Sequence, residues 1–267
     1  MQSPTMKIAL IGAGNVAWHL AQALQEAGHE VVAVYSRTAA HSEELAHRLP
    51  GAIPLASLDL SGSQAELILM AVPDAALAGV AHTLQVPAGA IVAHTSGSQP
   101  LAVLQGIPGA RTGVFYPLQT FSKSKQMNFS VVPVLLEAED EQTLRTLQGV
   151  AASITGEVHV VDSDKRKQLH LAAVFACNFT NHLLGISQRI LQQAELPRTL
   201  LQPLIRETID KAEKHPPFQV QTGPAVRHDQ NVIQEHLRML QQHPAYQELY
   251  LQLTQSIQQQ ASDNTSE

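Results

Sequence analysis

The chain has 267 residues, 44% of them hydrophobic and 15% charged, which suffices for one large or two modest globular domains. A formal net charge of −6 argues against a nucleic-acid partner, and the short clusters Lys123–Lys125 and Lys165–Lys167 are expected to be solvated loops. One cysteine, Cys177, excludes an internal disulfide framework and favours the cytoplasm. We also expect no signal peptide, no membrane-spanning run and no metal site.

The first predicted elements form a strand–turn–helix–strand unit. An apolar strand over Lys7–Ile11 leads into the glycine turn Gly12–Ala17, a helix extends to Gly28, and a second strand begins at Glu30. A glycine turn between a strand and a helix is typical of dinucleotide-binding domains.

Each small residue of this turn has an expected role. Gly12 allows the tight turn, Gly14 lets the backbone approach a pyrophosphate, and Ala17 lets the helix pack close to the strand. The pyrophosphate would lie on the N–H groups at the helix N-terminus, at Asn15 and Val16, where the helix dipole favours negative charge. The alternative is a glycine turn in an ordinary α/β domain.

The residues after the second strand indicate which dinucleotide is bound. NAD sites usually carry an Asp or Glu there for the ribose 2′-hydroxyl, whereas this chain has Ser36, Arg37 and Thr38. Arg37 could pair with a 2′-phosphate, with the hydroxyls of Ser36 and Thr38 beside it. We therefore predict NADP(H) in preference to NAD(H); the alternative is that Arg37 is a solvated loop cation.

Strand-like and helix-like segments then alternate up to residue 162, which is typical of a doubly wound parallel sheet. Further strands are predicted at Glu66–Val72, Ala90–Ala93, Arg111–Tyr116, Ser130–Leu136 and Glu157–Val161. Helices are predicted at Asp74–Leu84, Leu101–Gln105 and Glu139–Ile154. The predicted fold class is therefore α/β, with a Rossmann domain over residues 1–162.

Two of the predicted strands end in segments that suit ligand binding, because ligands of open parallel sheets bind beyond the carboxyl ends of the strands. Val72 and Pro73 close one strand and would form a wall beside the nicotinamide ribose. His94 and Ser96 belong to the polar loop His94–Ser98, where they would contact the substrate. The alternative for this loop is a cap on the following helix.

The stretch Tyr116–Ser122 combines aromatic, amide and hydroxyl groups in a chain that is only 4% aromatic. That composition suits a pocket that stacks on a ligand and orients it, with Tyr116 and Gln119 as substrate contacts. An ordinary packed loop is the alternative.

A helix over Leu169–Leu184 opens the second domain and is apolar except for a few polar side chains. His170, Asn178 and Asn181 fall on one face of this predicted helix, and asparagine is unfavourable inside a helix unless its side chain finds a partner. We predict that His170 and Asn178 act in catalysis and that Asn181 binds substrate. A polar core network is the alternative.

From residue 163 to 260 the sequence shows only helical periodicity, which several prolines interrupt. This pattern predicts an all-α C-terminal domain over residues 163–260, followed by a disordered tail over 261–267. Because its amphipathic helices have Leu-rich faces, we expect this domain to pair with a second copy in a homodimer.

Together these segments resemble a family of bacterial Rossmann-like proteins whose C-terminal half is a domain of unknown function, number 2520. That family lies in the wider group of 6-phosphogluconate-dehydrogenase-like reductases, beside pyrroline-5-carboxylate reductase and deazaflavin-dependent NADP oxidoreductases. The matching segments are Gly12–Ala17, Ala71–Asp74, His94–Ser98, Tyr116–Ser122, His170–Leu184 and Thr222–Asp229. The resemblance implies NADP binding, a helical second domain and a dimer, and it implies no particular substrate.

Related β-hydroxyacid dehydrogenases carry a catalytic Lys followed by an Asn on the first helix after the Rossmann domain. No Lys lies among Leu169–Leu184, and the nearest substitute is His170. The predicted function is therefore NADP(H)-dependent hydride transfer to or from a small polar carbonyl or imine, with His170 as the acid/base group. The alternatives are a non-catalytic NADP-binding sensor or assembly protein, and an NADP reductase that uses a deazaflavin as its hydride partner.

Overall fold

The computed structural model describes residues 5–264, with side chains as far as residue 262, and separates into two compact units that divide after Asn178. The first unit is α/β and the second is helical, as predicted. The division falls later than the predicted boundary at residue 162, because the helix that begins at Ser163 is bonded to the first unit. Oγ of Ser163 donates to the Glu137 carboxylate at 2.8 Å, and Arg166 forms an ion pair with the same group.

The described part of the first unit contains one sheet of eight strands in the order β3-β2-β1-β4-β5-β6-β7-β8. The strands are β1 (Lys7–Ile11), β2 (Glu30–Tyr35), β3 (Ile53–Leu55), β4 (Leu67–Met70), β5 (Ile91–His94), β6 (Arg111–Pro117), β7 (Val134–Ala138) and β8 (Val158–Val160). Neighbouring strands among β1 to β6 are all parallel. This is the doubly wound order of a Rossmann fold, and it confirms the predicted fold class.

Strand β7 departs from the predicted all-parallel sheet, because it runs antiparallel to β6. Parallel neighbours need a crossover connection, usually a helix, whereas the connection over 118–133 contains only the short 3-10 helix Phe129–Val131. β7 also begins later than predicted, since Pro133 has no N–H to donate and the N–H of Ser130 donates to the Asn128 side chain at 3.1 Å. The short edge strand β3, which includes Pro54, was not predicted.

The described part of the first unit contains five α-helices, and buried side chains cover both faces of its sheet. The helices are α1 (Asn15–Glu26), α2 (Ala39–Ala46), α3 (Asp74–Thr83), α4 (Glu141–Ile154) and α5 (Ser163–Ala173). On one face Leu10 of β1 packs in a cluster with Leu20 and Leu24 of α1, and on the other Ile11 joins Leu77 of α3. Strands buried on both faces have continuous apolar sequences, which is why these strands could be predicted.

The second unit contains helices α6 (Thr180–Gln193), α7 (Gln202–Lys214), α8 (Gln230–Met239) and α9 (Pro244–Asn264). No strand occurs in its described residues, which agrees with the predicted all-α domain. The predicted disordered tail is wrong for residues 261–264, because α9 continues to Asn264 and its glutamines are good helix formers. Residues 265–267 lie outside the described residues.

A π-helical turn, Val174–Phe179, joins α5 to α6. The continuous helical stretch Ser163–Gln193 is long and apolar enough to cross a membrane by length and composition alone. The expectation that no run reaches this length is therefore wrong, because the polar residues that interrupt this stretch are mostly uncharged. One such helix is weak evidence for a membrane protein.

Candidate active site

The glycine turn brings the carboxyl ends of three neighbouring strands together. Gly12 has a φ of +118°, and its N–H donates to the carbonyl oxygen of Tyr35 at the end of β2 over 2.7 Å. A Cβ atom built on Gly12 would lie 2.1 Å from the carbonyl oxygen of Ala71, which follows β4, and 3.4 Å from the N atom of Val72. Both the positive φ and this close approach exclude any side chain at position 12.

The start of α1 is suited to hold an anion. Gly14 is the exposed N-cap residue, its carbonyl oxygen accepts from the N–H of Trp18 at 2.9 Å, and no side chain caps the first turn. No other atom lies within 4 Å of a Cβ built on Gly14, so the space beside the backbone is open. Within the described part of the chain, the N–H groups of Asn15 and Val16 therefore have no side-chain acceptor, as a diphosphate site at a helix N-terminus requires.

Ser36 and Arg37 directly follow β2, whose end is bonded to the turn through Gly12. Arg37 is exposed, and among residues 5–264 no carboxylate lies within ion-pair distance of its guanidinium group. Oγ of Ser36 accepts from the N–H of Thr38 at 3.4 Å. The sequence over 35–38 supplies a free cation and no acid, which fits a nucleotide that carries a 2′-phosphate.

Val72 approaches this turn, since its N atom lies 3.4 Å from a Cβ built on Gly12, and Pro73 follows it in the chain. Pro73 is exposed and is the N-cap residue of α3, and Val72 is partly exposed. Their predicted contact with the nicotinamide ribose stays a prediction.

The side chains of Tyr116 and His170 are hydrogen-bonded to each other in the first unit. Oη of Tyr116 lies 3.0 Å from Nδ1 of His170, and the two ring centroids are 6.0 Å apart at an interplanar angle of 69°. Both residues are partly exposed. Burial and, to a lesser degree, the negative charge of Asp74 raise the pKa of the Tyr116 phenol, whereas the positive charge of Arg166 opposes this shift. The phenol is therefore protonated at neutral pH and can donate a hydrogen bond.

The loop after β5 packs against this pair. A Cβ atom built on Gly97 would lie 2.6 Å from Nδ1 of His170 and 2.7 Å from Cζ of Tyr116, so only glycine leaves room for both rings. The same loop is bonded to α3, because Oγ of Ser98 donates to the Asp74 carboxylate. Three segments that are distant in the sequence thus meet at one point: the end of β6, the loop after β5 and helix α5.

His94 and Ser96, which the sequence predicts as substrate contacts, are both buried in the structure, and their contact with substrate stays a prediction. His94 is fully buried; its Nδ1 accepts from the N–H of Ser96 at 3.1 Å, and its Nε2 lies 3.3 Å from the carbonyl oxygen of Pro100. Burial lowers the pKa of His94 to about 4, and the positive charge of Arg166 acts in the same direction. Oγ of Ser96 accepts from the N–H of Gln99 at 3.0 Å. These groups order the loop, because their polar atoms are directed at its own backbone.

Arg166 is a buried cation that sequence reasoning missed. The cluster Lys165–Lys167 was expected to be solvated, yet the Arg166 side chain is fully buried, whereas Lys165 is exposed. Its guanidinium group forms an ion pair with Glu137 and donates to the carbonyl oxygen of Gln99 at 2.7 Å. Among the residues that the structure describes, Nε of Arg166 has no hydrogen-bond partner. Through Gln99, Arg166 connects α5 and β7 to the loop that carries Gly97.

In the part of the chain that it describes, the structure shows no hydrogen bond between the Tyr116–His170 pair and the remaining predicted substrate and catalytic residues. Gln119 is exposed, and its Oε1 accepts from the N–H of Thr120 at 2.8 Å. Asn178 is exposed on the π-helical turn, and Asn181 belongs to the second unit. The wider π turn ends the α-helical spacing on which the predicted shared face rested. The roles of Gln119, Asn178 and Asn181 stay predictions.

A metal centre finds no support in the described part of the chain. No group of three or more His, Cys, Asp or Glu side chains there is arranged to hold a metal ion.

The parallel strand order, the glycine turn and the open helix N-terminus define a Rossmann-type nucleotide-binding protein. Residues 1–119 match the family model of the Rossmann-like domain, and residues 132–257 match that of a domain of unknown function, DUF2520. The chain is 40% identical to a Bacteroides fragilis protein whose name assigns it provisionally to the NADP oxidoreductases. That likeness covers 96% of this chain and 98% of the other, with a TM-score of 0.86. The chain therefore belongs to this two-domain family, and the resemblance found in the sequence is confirmed.

More distant proteins share the fold at 17% identity. One is a reductive aminase from Aspergillus terreus in complex with NADPH and ethyl levulinate, with a TM-score of 0.68. Another is an imine reductase from Myxococcus stipitatus in complex with NADP+, with a TM-score of 0.66. Each likeness covers 97% of this chain and 95% of the other protein. A search of curated proteins found no match.

Proposed function

We propose that this protein is an NADP(H)-dependent oxidoreductase that reduces a small polar imine or carbonyl compound, or oxidises the corresponding product. The name of the Bacteroides fragilis relative supports the cofactor and the reaction class. The imine and amine chemistry named for the two more distant proteins supports a C=N or C=O substrate.

The residues around the glycine turn fit NADP(H). The N–H groups at Asn15 and Val16 would hold the diphosphate, with Gly12 and Gly14 keeping the backbone free of side chains. Arg37, with Ser36 beside it, would bind the 2′-phosphate of the adenosine ribose. When bound, the reduced cofactor supplies a hydride.

The observation that carries the proposal is the bond between Tyr116 and His170. If His170 donates from Nδ1, the Tyr116 O–H is free to donate a proton to the substrate nitrogen or oxygen. If Tyr116 donates instead, the Nε2–H of His170 is free for the same purpose. In either arrangement the pair offers one proton and can recover it from solvent, because both side chains are partly exposed. Proton donation of this kind contributes on the order of 10²–10⁴-fold in rate.

The proposal is tested by following NADPH consumption with a panel of small cyclic imines and oxo-acids. We expect turnover with at least one compound, and a loss on the order of 10²-fold or more in His170→Ala and Tyr116→Phe. NADPH affinity, measured by calorimetry, should be unchanged in both variants. His159→Ala is the matched control, because the His159 side chain is 53% exposed and forms an ion pair with Glu157. If NADPH binds but His170→Ala turns over like the unaltered protein, the proton-donor assignment is wrong.

We further propose that the helical unit pairs with a second copy of the chain. Its large apolar side chains are unusually exposed: Leu200, Leu204 and Phe218 are 60%, 61% and 64% exposed. Among its described residues, the buried side chains are limited to Ala225, Ile233 and Thr254. A unit with so little core needs an apolar partner, and symmetric homodimers are the commonest solution.

Light scattering after size-exclusion chromatography tests this pairing. We expect a particle of twice the 28.9 kDa chain mass, and a monomer or aggregate for Leu200→Lys combined with Leu204→Lys. The exposed polar substitution Gln241→Lys should leave the dimer intact. A monomeric unaltered protein at micromolar concentration would exclude the proposal.

A further inference from the structure

The first unit contains a cavity of about 570 Å³ between the outer side of α1, the end of α4 and the loop after β6. The residues that line it do not include any of Gly12–Val16, Tyr116 or His170. This volume lies in the range of about 300–1,000 Å³ in which proteins bind small molecules. The cavity is therefore large enough for a ligand of its own.

The lining of this cavity is rich in positive charge. Arg48, Lys123 and Lys125 line it, and Glu26 is the single carboxylate among the lining residues. The chain as a whole carries 23 acidic and 17 basic side chains, so that this local excess of cations runs against its net charge of −6. Such a concentration of like charge attracts an anion.

Trp18 holds two of these cations in place. The guanidinium carbon of Arg48 lies 4.5 Å and Nζ of Lys123 lies 4.4 Å from the centroid of the Trp18 ring. Each contact is an attractive cation–π interaction, yet the two cations at one ring repel each other. Nζ of Lys123 is paired with Glu44 at 2.9 Å. Within the described residues, no carboxylate lies within ion-pair distance of Arg48 or Lys125.

The wall opposite α1 is fixed by contacts of the loop after β6. Nε2 of His19 on α1 lies 2.9 Å from the carbonyl oxygen of Ser122. The ring of His19 stacks on Phe121 with centroids 5.6 Å apart, and Phe121 stacks in turn on Phe129 at 6.1 Å. These contacts hold the lysine-bearing segment against α1.

We propose that this cavity is a second binding site, separate from the glycine turn, for a small phosphate-bearing molecule. Arg48 presents a planar fork of N–H donors that matches two phosphate oxygens, while Lys123 and Lys125 act as compact point charges. The side-chain amides of Gln22 and Gln126 line the same space and add neutral hydrogen-bond donors. The inference goes beyond the proposed reductase activity and does not depend on it.

The experiment uses the fluorescence of Trp18, which is the only tryptophan in the chain and lines this cavity. Pyrophosphate is titrated into the full-length protein, with calorimetry as a second measurement. We expect a saturable signal, and at least ten-fold weaker binding in Arg48→Gln and in Lys125→Gln. Arg145→Gln should bind like the unaltered protein, because Arg145 lies on the exposed side of α4 and pairs with Glu141.

A parallel titration in the presence of saturating NADP+ separates this site from the glycine turn. Pyrophosphate should still bind in the cavity when NADP+ is present. The proposal is overturned if NADP+ abolishes pyrophosphate binding or if sodium chloride at equal ionic strength gives the same signal. It is also overturned if both Gln variants bind pyrophosphate as tightly as the unaltered protein. The results with sodium chloride and with the two Gln variants do not depend on whether NADP+ binds, so that failure here is distinguishable from failure of the reductase proposal.

Discussion

A Cβ atom on Gly97 would lie 2.6 Å from Nδ1 of His170, which is closer than a side-chain carbon can approach a ring atom without displacing it. The loop after β5 thereby fixes where the imidazole and the Tyr116 phenol can sit. Because proton transfer is sensitive to shifts of about 1 Å, this glycine is a positioning residue for the pair.

We expect Gly97→Ala to lower the rate of NADPH-dependent reduction by roughly 100-fold. The added methyl group should also cost about 1–3 kcal/mol in the free energy of unfolding. NADPH affinity should stay the same, since the glycine turn is not altered. Gly79→Ala is the matched control: Gly79 lies in α3 with no atom near its Cβ position, so that alanine there should preserve activity and stability. A fully active Gly97→Ala protein would contradict this role.

The pKa of His94 makes stability depend on pH. The folded-state pKa is about 4, below the ordinary value of 6.5, so that between these values the unfolded chain binds a proton that the folded chain does not. The contribution of neutral His94 to the free energy of unfolding is therefore fully present above pH 6.5. It is lost as the pH falls towards 4, by an amount on the order of 3 kcal/mol.

Urea unfolding at pH 7 and pH 5 measures this loss. His94→Gln should be less stable at pH 7 and show a smaller decrease between the two pH values. Part of the decrease should remain, because burial also lowers the pKa of His29. His159→Gln, on the exposed strand β8, should behave like the unaltered protein. Equal decreases in the His94 variant and the unaltered protein would show that His94 is not responsible.

The β1–α1–β2 unit could be predicted from sequence because its information is local: two apolar strands, and a turn in which Gly12 needs a positive φ. The orientation of β7 could not be predicted, since it follows from the lack of a crossover helix in the connection over 118–133. The π turn was missed because periodicity arguments assume 3.6 residues per turn, and this assumption placed Asn178 on one face with His170. The local sequence does not distinguish Arg166 from its neighbours Lys165 and Lys167. Arg166 is buried because it pairs with Glu137, which is distant in the sequence.

Arg166 should be essential for the stability of the first unit. Its fully buried guanidinium group pairs with Glu137, so that Arg166→Met leaves this carboxylate without its cation and should cost about 3–5 kcal/mol in the free energy of unfolding. Arg145→Met is the matched control, because the Arg145–Glu141 pair is exposed and should contribute less than about 1 kcal/mol. Chemical denaturation measures the free energy of unfolding of both variants. Equal losses would show that the buried ion pair contributes no more to stability than the exposed one.

Arg37 should decide between the two pyridine nucleotides. Its guanidinium group is exposed and has no acidic partner among residues 5–264, so that it is available for the 2′-phosphate that distinguishes NADPH from NADH. A charge-assisted hydrogen bond contributes about 1.5–3 kcal/mol, which corresponds to roughly 10- to 150-fold in affinity. Calorimetry should therefore show NADPH binding weakened by this factor in Arg37→Gln, whereas NADH binding should change little. Arg145→Gln should leave both affinities unaltered. If Arg37→Gln weakens the two nucleotides equally, the residue contributes to the turn in general and does not recognise the 2′-phosphate.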